Sequence, residues 1–298
     1  MPPPLSYPAL KLVLEYLDVK KRYHITSRNC ALQKIDKKIP LRVGTLIIWK
    51  DSSVSLDDLE YSAEYTKRKI NREELLKIHV VNEKLKKYLE ERPNIHVDHV
   101  GIYSVKFYEQ VPVKLNLITN KLHTFCCSDF RNSLPMIDSR SFPLKKLKLT
   151  QEESIDVDHP IIHTTEDVIF QFSKRNELIR GIEKLQRKKL TIQNIMNGNV
   201  DAVRIIKDWM KNGREIGTEY LLYFPFNVGI KGVLKDLKRE FDEFRNNLKG
   251  VNVRFLKRAP RFSIPMCPTL KIIIYGTEIQ SKDRTVYQLV LKVVSTDE

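Results

Sequence analysis

From residue 113 onward, short aliphatic or β-branched runs alternate with stretches of helical spacing, and this alternation limits the fold more than any other feature. Strand-like runs stand at Val113–Ile118, Leu144–Leu149, Asp167–Phe170, Leu190–Ile192 and Tyr220–Phe224. Between them, Leu178, Ile182 and Leu185 share one helical face, and Val203, Ile206 and Met210 share another. Strands joined through helices lie parallel to one another, so the pattern predicts βα units around a mainly parallel sheet. No consensus repeat recurs and the periods are unequal, which leaves both leucine-rich-repeat-like curvature and an ordinary mixed sheet open.

The segment Trp209-Met-Lys-Asn-Gly213-Arg-Glu-Ile-Gly217-Thr218 punctuates this rhythm. Gly213 stands where a helix ends and needs a residue tolerant of positive φ, and Gly217 permits a second turn before the strand at Tyr220. Val233, Leu234, Leu237, Phe241, Phe244 and Leu248 then predict a long helix ending at Gly250. Strands are expected at Val251–Phe255, Leu270–Tyr275 and Val286–Val294, the last two forming an antiparallel hairpin.

The first forty residues have a different character. Pro8 suits the first turn of a helix, and Leu10, Val13, Leu14 and Leu17 follow at i, i+3, i+4 and i+7. A second helix is expected over Val19–Arg28 and a third around Ala31, Leu32 and Ile35, before Pro40 and a first strand over Leu41–Trp49. Three such short helices bury little surface alone and must pack on the following domain or on a partner. Asn71 opens a further helix whose stripe is Leu75, Ile78, Val81, Leu85 and Leu89. The expected fold class is mixed α/β. It divides into a helical module over 1–40, a first strand plus helical insertion over 41–105, and an α/β domain over 106–298.

Composition narrows the function classes. Hydrophobic residues make up 42% of the 298, enough for a sizeable core. No apolar run reaches the ~18 residues of a membrane span, and the N-terminus lacks a secretory pattern. Cys30, Cys126, Cys127 and Cys267 are too few and too irregular for a disulfide framework, which favours an intracellular, reducing compartment, cytoplasmic or nuclear. The net charge of +15 is the outlier, but its Lys and Arg are scattered, as in Lys20-Lys-Arg22 and Arg187-Lys-Lys189.

Chemistry-bearing patterns are scarce. His159 and His163 have i, i+4 spacing, but Pro160 argues against a regular helix between them. His96-Val-Asp-His99, His123-Thr-Phe-Cys126-Cys127 and the pair Asp156 and Asp158 show no metal-finger or acid–base arrangement. Phosphate-loop, dinucleotide and nucleophile-elbow motifs do not occur. The sequence therefore predicts no catalytic residue, no metal ligand and no cofactor, and a protein that is not an enzyme.

Trp209-x-x-x-Gly213-Arg214-x-x-Gly217-Thr218, Phe142-Pro-Leu-Lys-Lys-Leu-Lys-Leu149 and Val157-Asp-His-Pro-Ile-Ile162 resemble a nematode-expanded family of uncharacterised proteins. So do Pro2-Pro-Pro-Leu-Ser-Tyr-Pro8 and Ile35-Asp-Lys-Lys-Ile-Pro-Leu41, and the C-terminal half resembles F-box-associated domains. That resemblance implies an F-box-like role for residues 5–38, docking on a Skp1-type adaptor of a cullin ubiquitin ligase, with the α/β body recruiting a target. A helical cap for the sheet is the alternative for the same helices. The candidate partner-binding residues are Leu10, Leu14, Leu17 and Arg214. The expected function is a non-enzymatic protein-interaction module, and the alternative is a basic protein that binds nucleic acid or an anionic surface.

Overall fold

A computed structural model describes residues 6–49, 54–57, 84–90, 92–103, 115–125, 127–151, 157–172, 181–195, 200–280 and 285–297. They fall into two compact units, Met1–Leu144 and Lys145–Glu298, a division different from the three-part reading of the sequence. Mixed α/β architecture, with helices first and an antiparallel hairpin last, is what the structure shows.

Unit one opens with α1 (Tyr7–Tyr16), α2 (Val19–Thr26) and α3 (Cys30–Asp36). Each start is legible in local chemistry. Pro8 lies in the first turn of α1, where a missing N–H costs nothing. The Asp18 carboxylate accepts from the Lys20 and Lys21 amides at the head of α2, and Asn29 Oδ1 accepts from Ala31 and Leu32 at the head of α3. Strands β1 (Leu41–Ile48), β2 (Val54–Leu56), β3 (Ile95–Ile102) and β4 (Leu117–Thr124) follow. β1, β3 and β4 are parallel neighbours, and β2 pairs antiparallel on the outer side of β1. β4 begins at Leu117, later than the run expected from Val113, whose first two residues lie outside the described ones. Of the helix expected over 71–89, residues 84–89 are helical and form α4, with Leu85 and Leu89 buried; the part before residue 84 is outside the described residues. α5 (Cys127–Ser133) follows β4.

A buried ionic triad ties these pieces together. Asp36, the last residue of α3, receives the Arg22 guanidinium from α2 on one carboxylate oxygen and the Arg92 guanidinium on the other. All three are essentially without solvent contact. The remaining guanidinium hydrogens are not orphaned. Arg22 donates to the carbonyls of Pro40 at 2.9 Å and Ile39 at 3.1 Å, and Arg92 donates to those of Tyr88 at 2.9 Å and Asp36 at 3.1 Å. Arg92 also lies 4.2 Å over the Tyr88 ring, which meets Tyr23 of α2 edge-on at 5.0 Å. The second and third helices are thereby fixed to the chain after α4 and to the entry of β1. They do not stand apart as a free module.

Unit two contains seven described strands: β5 (Lys146–Gln151), β6 (Asp167–Phe172), β7 (Lys189–Gln193), β8 (Glu219–Phe224), β9 (Phe262–Cys267), β10 (Leu270–Gln280) and β11 (Thr285–Ser295). β5 to β8 run parallel in sequence order, then β11, β10 and β9 continue antiparallel. α6 (Pro160–Thr164) lies between β5 and β6, α7 (Ala202–Asn212) between β7 and β8, and α8 (Asn227–Phe241) after β8. The β10–β11 hairpin is longer than its sequence signal, pairing Leu270 with Ser295 through to Gln280 with Thr285.

Leu178 of the helical face expected over Leu178, Ile182 and Leu185 lies outside the described residues; Gly181 adopts φ 87, and a single 3-10 turn, Ile182–Lys184, follows it. Two local expectations change. α8 ends at Phe241, well before Gly250, and residues 251–255 are not a strand. Both changes have one cause. Ile230 of α8 packs at Gly276, whereas Leu248, Val251 and Phe255 pack with Ile273 and Tyr275, which alternation along β10 places on the opposite face. The chain must leave the helix to reach that face, and it pairs with β10 through the single Phe255–Thr277 bridge.

Removing the Asp36 charge should leave two buried guanidiniums without a counter-ion. Asp36→Asn is expected to lower the unfolding free energy by about 3–5 kcal/mol, measured by urea denaturation.

Candidate interaction surface

α1 is apolar on more than one side. Leu14 is buried, with Leu10 and Leu17 half-buried beside it, as the i, i+4, i+7 spacing required. Thus the three leucines singled out from sequence point toward the helix's own unit, and Leu14 is fully committed there. On the other side, Leu12, Val13 and Tyr16 are 59%, 47% and 77% exposed. Their i, i+1, i+4 spacing puts them on one face. A ten-residue helix with apolar residues on both sides is suited to burial on both sides, once by its own unit and once by something else. Sequence reasoning missed Leu12 and Tyr16 because it followed a single stripe. The signal was available: once Leu10, Leu14 and Leu17 take the inner face, the leftover apolar residues also share a face.

The surroundings of this surface are basic. Residues 6–40 hold eight Lys and Arg against three acids, and the Asp36 carboxylate is already engaged by Arg22 and Arg92. An apolar stripe among cations suits a partner with apolar pockets rimmed by acid.

Arg214, the fourth candidate, has a different placement. Its guanidinium donates to the Asp208 carboxylate at 2.9 Å, the Glu183 carbonyl at 2.7 Å and the Gly213 carbonyl at 3.0 Å. The side chain is almost wholly covered. Arg214 therefore fastens the end of α7 to the 3-10 turn at Ile182–Lys184. The rest of the joint serves the same end. Trp209 is completely buried and meets the Tyr220 ring edge-on at 4.8 Å, while Tyr220 donates its hydroxyl to the Leu185 carbonyl at 2.7 Å. Gly213 adopts φ 72 and ψ 163, a region open essentially to glycine alone, and donates its amide to Trp209 at 2.9 Å. A cavity of about 410 Å³ lies beside it, lined by Arg187, Lys188, Gly213, Arg214 and Glu215 among others. Its charged groups are engaged. Arg187 donates to the carbonyls of Ile162, His163, Thr165 and Glu166, where α6 ends, and Lys188 pairs with Glu215 at 3.1 Å.

Pro160 occupies the first turn of the short helix Pro160–Thr164, which holds His163, while His159 precedes it as the extended N-cap residue. His159 Nδ1 accepts from the Ile161 amide as the cap. Among the described residues, no group of three or more His, Cys, Asp or Glu is placed to hold a metal ion. Asp156 and Cys126 lie outside the described residues.

Comparison with known proteins places the joint and the triad's third member in one segment. Residues 77–224 match the family model described as Domain of unknown function (DUF3557). The DUF3557 segment begins before α4, includes Arg92 and the whole Trp209–Thr218 joint, and ends on Phe224, the last residue of β8. Arg22 and Asp36 precede it, as do all three N-terminal helices. No curated protein and no solved structure matches the chain.

Two outcomes check the joint. Gly213→Ala is expected to lower stability by about 1–3 kcal/mol in urea denaturation, since alanine does not reach that backbone region. Burial raises the Tyr220 hydroxyl from the usual 10.0 to about 12. A tyrosine kept neutral by the fold supports stability fully below the unfolded value and loses it as pH rises toward the folded one. Stability should therefore fall between pH 10 and 12, and Tyr220→Phe should fall less steeply across that window.

Proposed function

We propose that the chain is a non-enzymatic adaptor that binds a protein partner through the outward face of α1. The observation that carries this reading is the set Leu12, Val13 and Tyr16, three apolar side chains left to solvent on one face of a helix whose inner face is already filled. Among the described residues no helix is long and apolar enough to cross a membrane.

The partner we favour is a Skp1-type adaptor. The resemblance of residues 5–38 to an F-box, and of the C-terminal half to F-box-associated domains, supports it. In this reading α1 docks on the adaptor, α2 and α3 hold α1 on unit one through the Asp36 triad, and the α/β body presents a target for ubiquitin transfer. The chain performs no chemistry itself. Such work belongs inside the cell, in the cytoplasm or nucleus, and the exposed free thiols of Cys30 and Cys267 suit a reducing compartment.

Co-purification of the full chain with Skp1, beside an established F-box protein as control, tests the proposal. The wild-type chain should retain Skp1. The double substitution L12D/Y16D should lose it by a hundredfold or more in affinity, roughly 3 kcal/mol, while the unfolding midpoint stays within a few degrees of wild type. A wild-type chain that fails to retain Skp1 when the control succeeds sinks the adaptor reading.

A further inference from the structure

At one level of unit two, polar side chains run across six strands. Pairing aligns Thr150 of β5 with Gln171 of β6, and Gln171 with Gln193 of β7. It also aligns Tyr223 of β8 with Gln288 of β11, and Gln288 with Thr277 of β10. Gln193 stands beside Tyr223, because Ile192 and Leu222 pair just before them. Residues aligned across neighbouring strands share a face, so this row lies on one side of the sheet, opposite the side where Tyr220 meets Trp209. The Thr277 hydroxyl donates to Gln288 Oε1 at 3.2 Å. Among the described residues, the side chains of Gln171, Gln193 and Tyr223 find no hydrogen-bond partner, and all three are half-buried. One step further along the strands, Pro225, Val286 and Ile279 continue on the same side as an apolar row, with Val286 paired to Ile279 and Ile279 38% exposed. Where the two rows meet lies a cavity of about 210 Å³, lined by Gln193, Asn194, Tyr223, Pro225, Ile279 and Val286.

Asn194 joins the cavity because β7 ends in a kink there. It adopts φ 57, a region that asparagine tolerates, and the next amide, that of Ile195, donates to the Tyr223 carbonyl at 2.9 Å. The cavity therefore stands at the carboxyl ends of the parallel strands β7 and β8. There the order along the sheet stops following the order along the chain, since β11 and not β9 lies next to β8. Open α/β sheets hold ligands in crevices so placed. In a chain of net charge +15, none of the six lining residues is charged. The lining offers an anion no cation and a cation no carboxylate, and a hydrocarbon would strand its amides and phenol. Each of those three groups can both donate and accept. A carboxamide satisfies both its halves against an edge that carries a donor beside an acceptor, as it does on adenine. The amide edges of nucleobases and of small carboxamides have that pattern, and the aliphatic row suits the ring that bears them. We infer that this cavity binds a small uncharged molecule through an amide edge, with Gln193 and Asn194 pairing to the edge, the Tyr223 hydroxyl bonding a further polar atom, and Pro225, Val286 and Ile279 covering the ring. The site stands apart from the α1 docking face and does not rest on the adaptor reading.

The test titrates the full chain with uridine and with nicotinamide, followed by saturation-transfer NMR, with glucose and benzoate beside them. At least one of the two amides should bind with a Kd of about 1 mM or tighter, and the tighter of them tells a nucleobase from a simple carboxamide. Glucose, which lacks the amide edge, and benzoate, whose edge is charged, should each bind about tenfold more weakly or worse. Gln193→Leu and Tyr223→Phe should each weaken the amide by about tenfold while the unfolding midpoint stays near that of wild type. Tyr223→Phe removes only a hydroxyl, so it checks the site even where Gln193→Leu disturbs the fold. Gln171→Leu, on the same row but outside the cavity lining, should leave affinity within about twofold. The L12D/Y16D variant should keep binding the amide while losing its protein partner, so the two readings fail separately. Absence of binding by both amides at about 10 mM overturns the inference. So does equal binding of glucose or benzoate, or full affinity in a folded Tyr223→Phe.

Discussion

Asp36 is the point on which unit one depends. One carboxylate, fully buried, pairs with two guanidiniums that come from either side of it in sequence, Arg22 before and Arg92 after. Such an arrangement is weak evidence for net stability, since desolvating three charges costs as much as their attraction returns. Its consequence is positional. Beyond those to the Asp36 carboxylate, its guanidinium hydrogen bonds end on carbonyls of one short stretch, Asp36 to Pro40, or of Tyr88. The turn from α3 into β1 is therefore held at a fixed distance from the end of α4. Shifting either arginine by one residue leaves a buried carbonyl or a buried charge alone.

That constraint gives α1 its meaning. The second and third helices are committed to their unit by the triad, and the inner face of α1 is committed by Leu14. What remains available is the outer face of α1, held firmly enough to be presented to a partner. A helix on a flexible tether would have to be ordered at each encounter, at an entropic cost to affinity. In the proposed reading, that ordering is supplied by residues outside the docking face. The DUF3557 segment holds Arg92 but neither Arg22 nor Asp36. The network thus joins that segment to helices outside it.

Much of the architecture was legible from periodicity, and the parts that were not share a physical character. α1, α7, β1, β8 and the terminal hairpin were visible because each is decided by neighbours within a few residues: a proline in a first turn, an aspartate cap, a strict apolar alternation. The end of α8 was not, because the helical spacing of Phe244 and Leu248 continues after the chain has turned to cover the opposite face of β10. Spacing reports which residues are apolar together, not which layer they enter. Arg214 admits two readings from sequence, an outward contact or a bond to the last carbonyls of α7, and spacing alone does not choose between them. A charged residue between two glycines suggests an outward loop, but Asp208 and the Glu183 carbonyl lie close enough to draw it inward.

The two surfaces differ in how far apart their makers lie in sequence, and this decides what a sequence can disclose. Leu12 and Tyr16 share one helix with the inner stripe, so subtraction of that stripe is enough to find them, whereas Val13, read as part of the stripe, is exposed. Gln193, Tyr223 and Gln288 become neighbours only through the pairing of β7, β8 and β11, and nothing in the residues between them announces the register. A shift of one residue in either pairing would turn one side chain to the other face of the sheet and dissolve the row. The row is also costly as mere packing, since Ile279 stays substantially exposed and the half-buried side chains of Gln193 and Tyr223 find no hydrogen-bond partner among the described residues. A face arranged for burial alone would place an aliphatic residue at both of those polar positions.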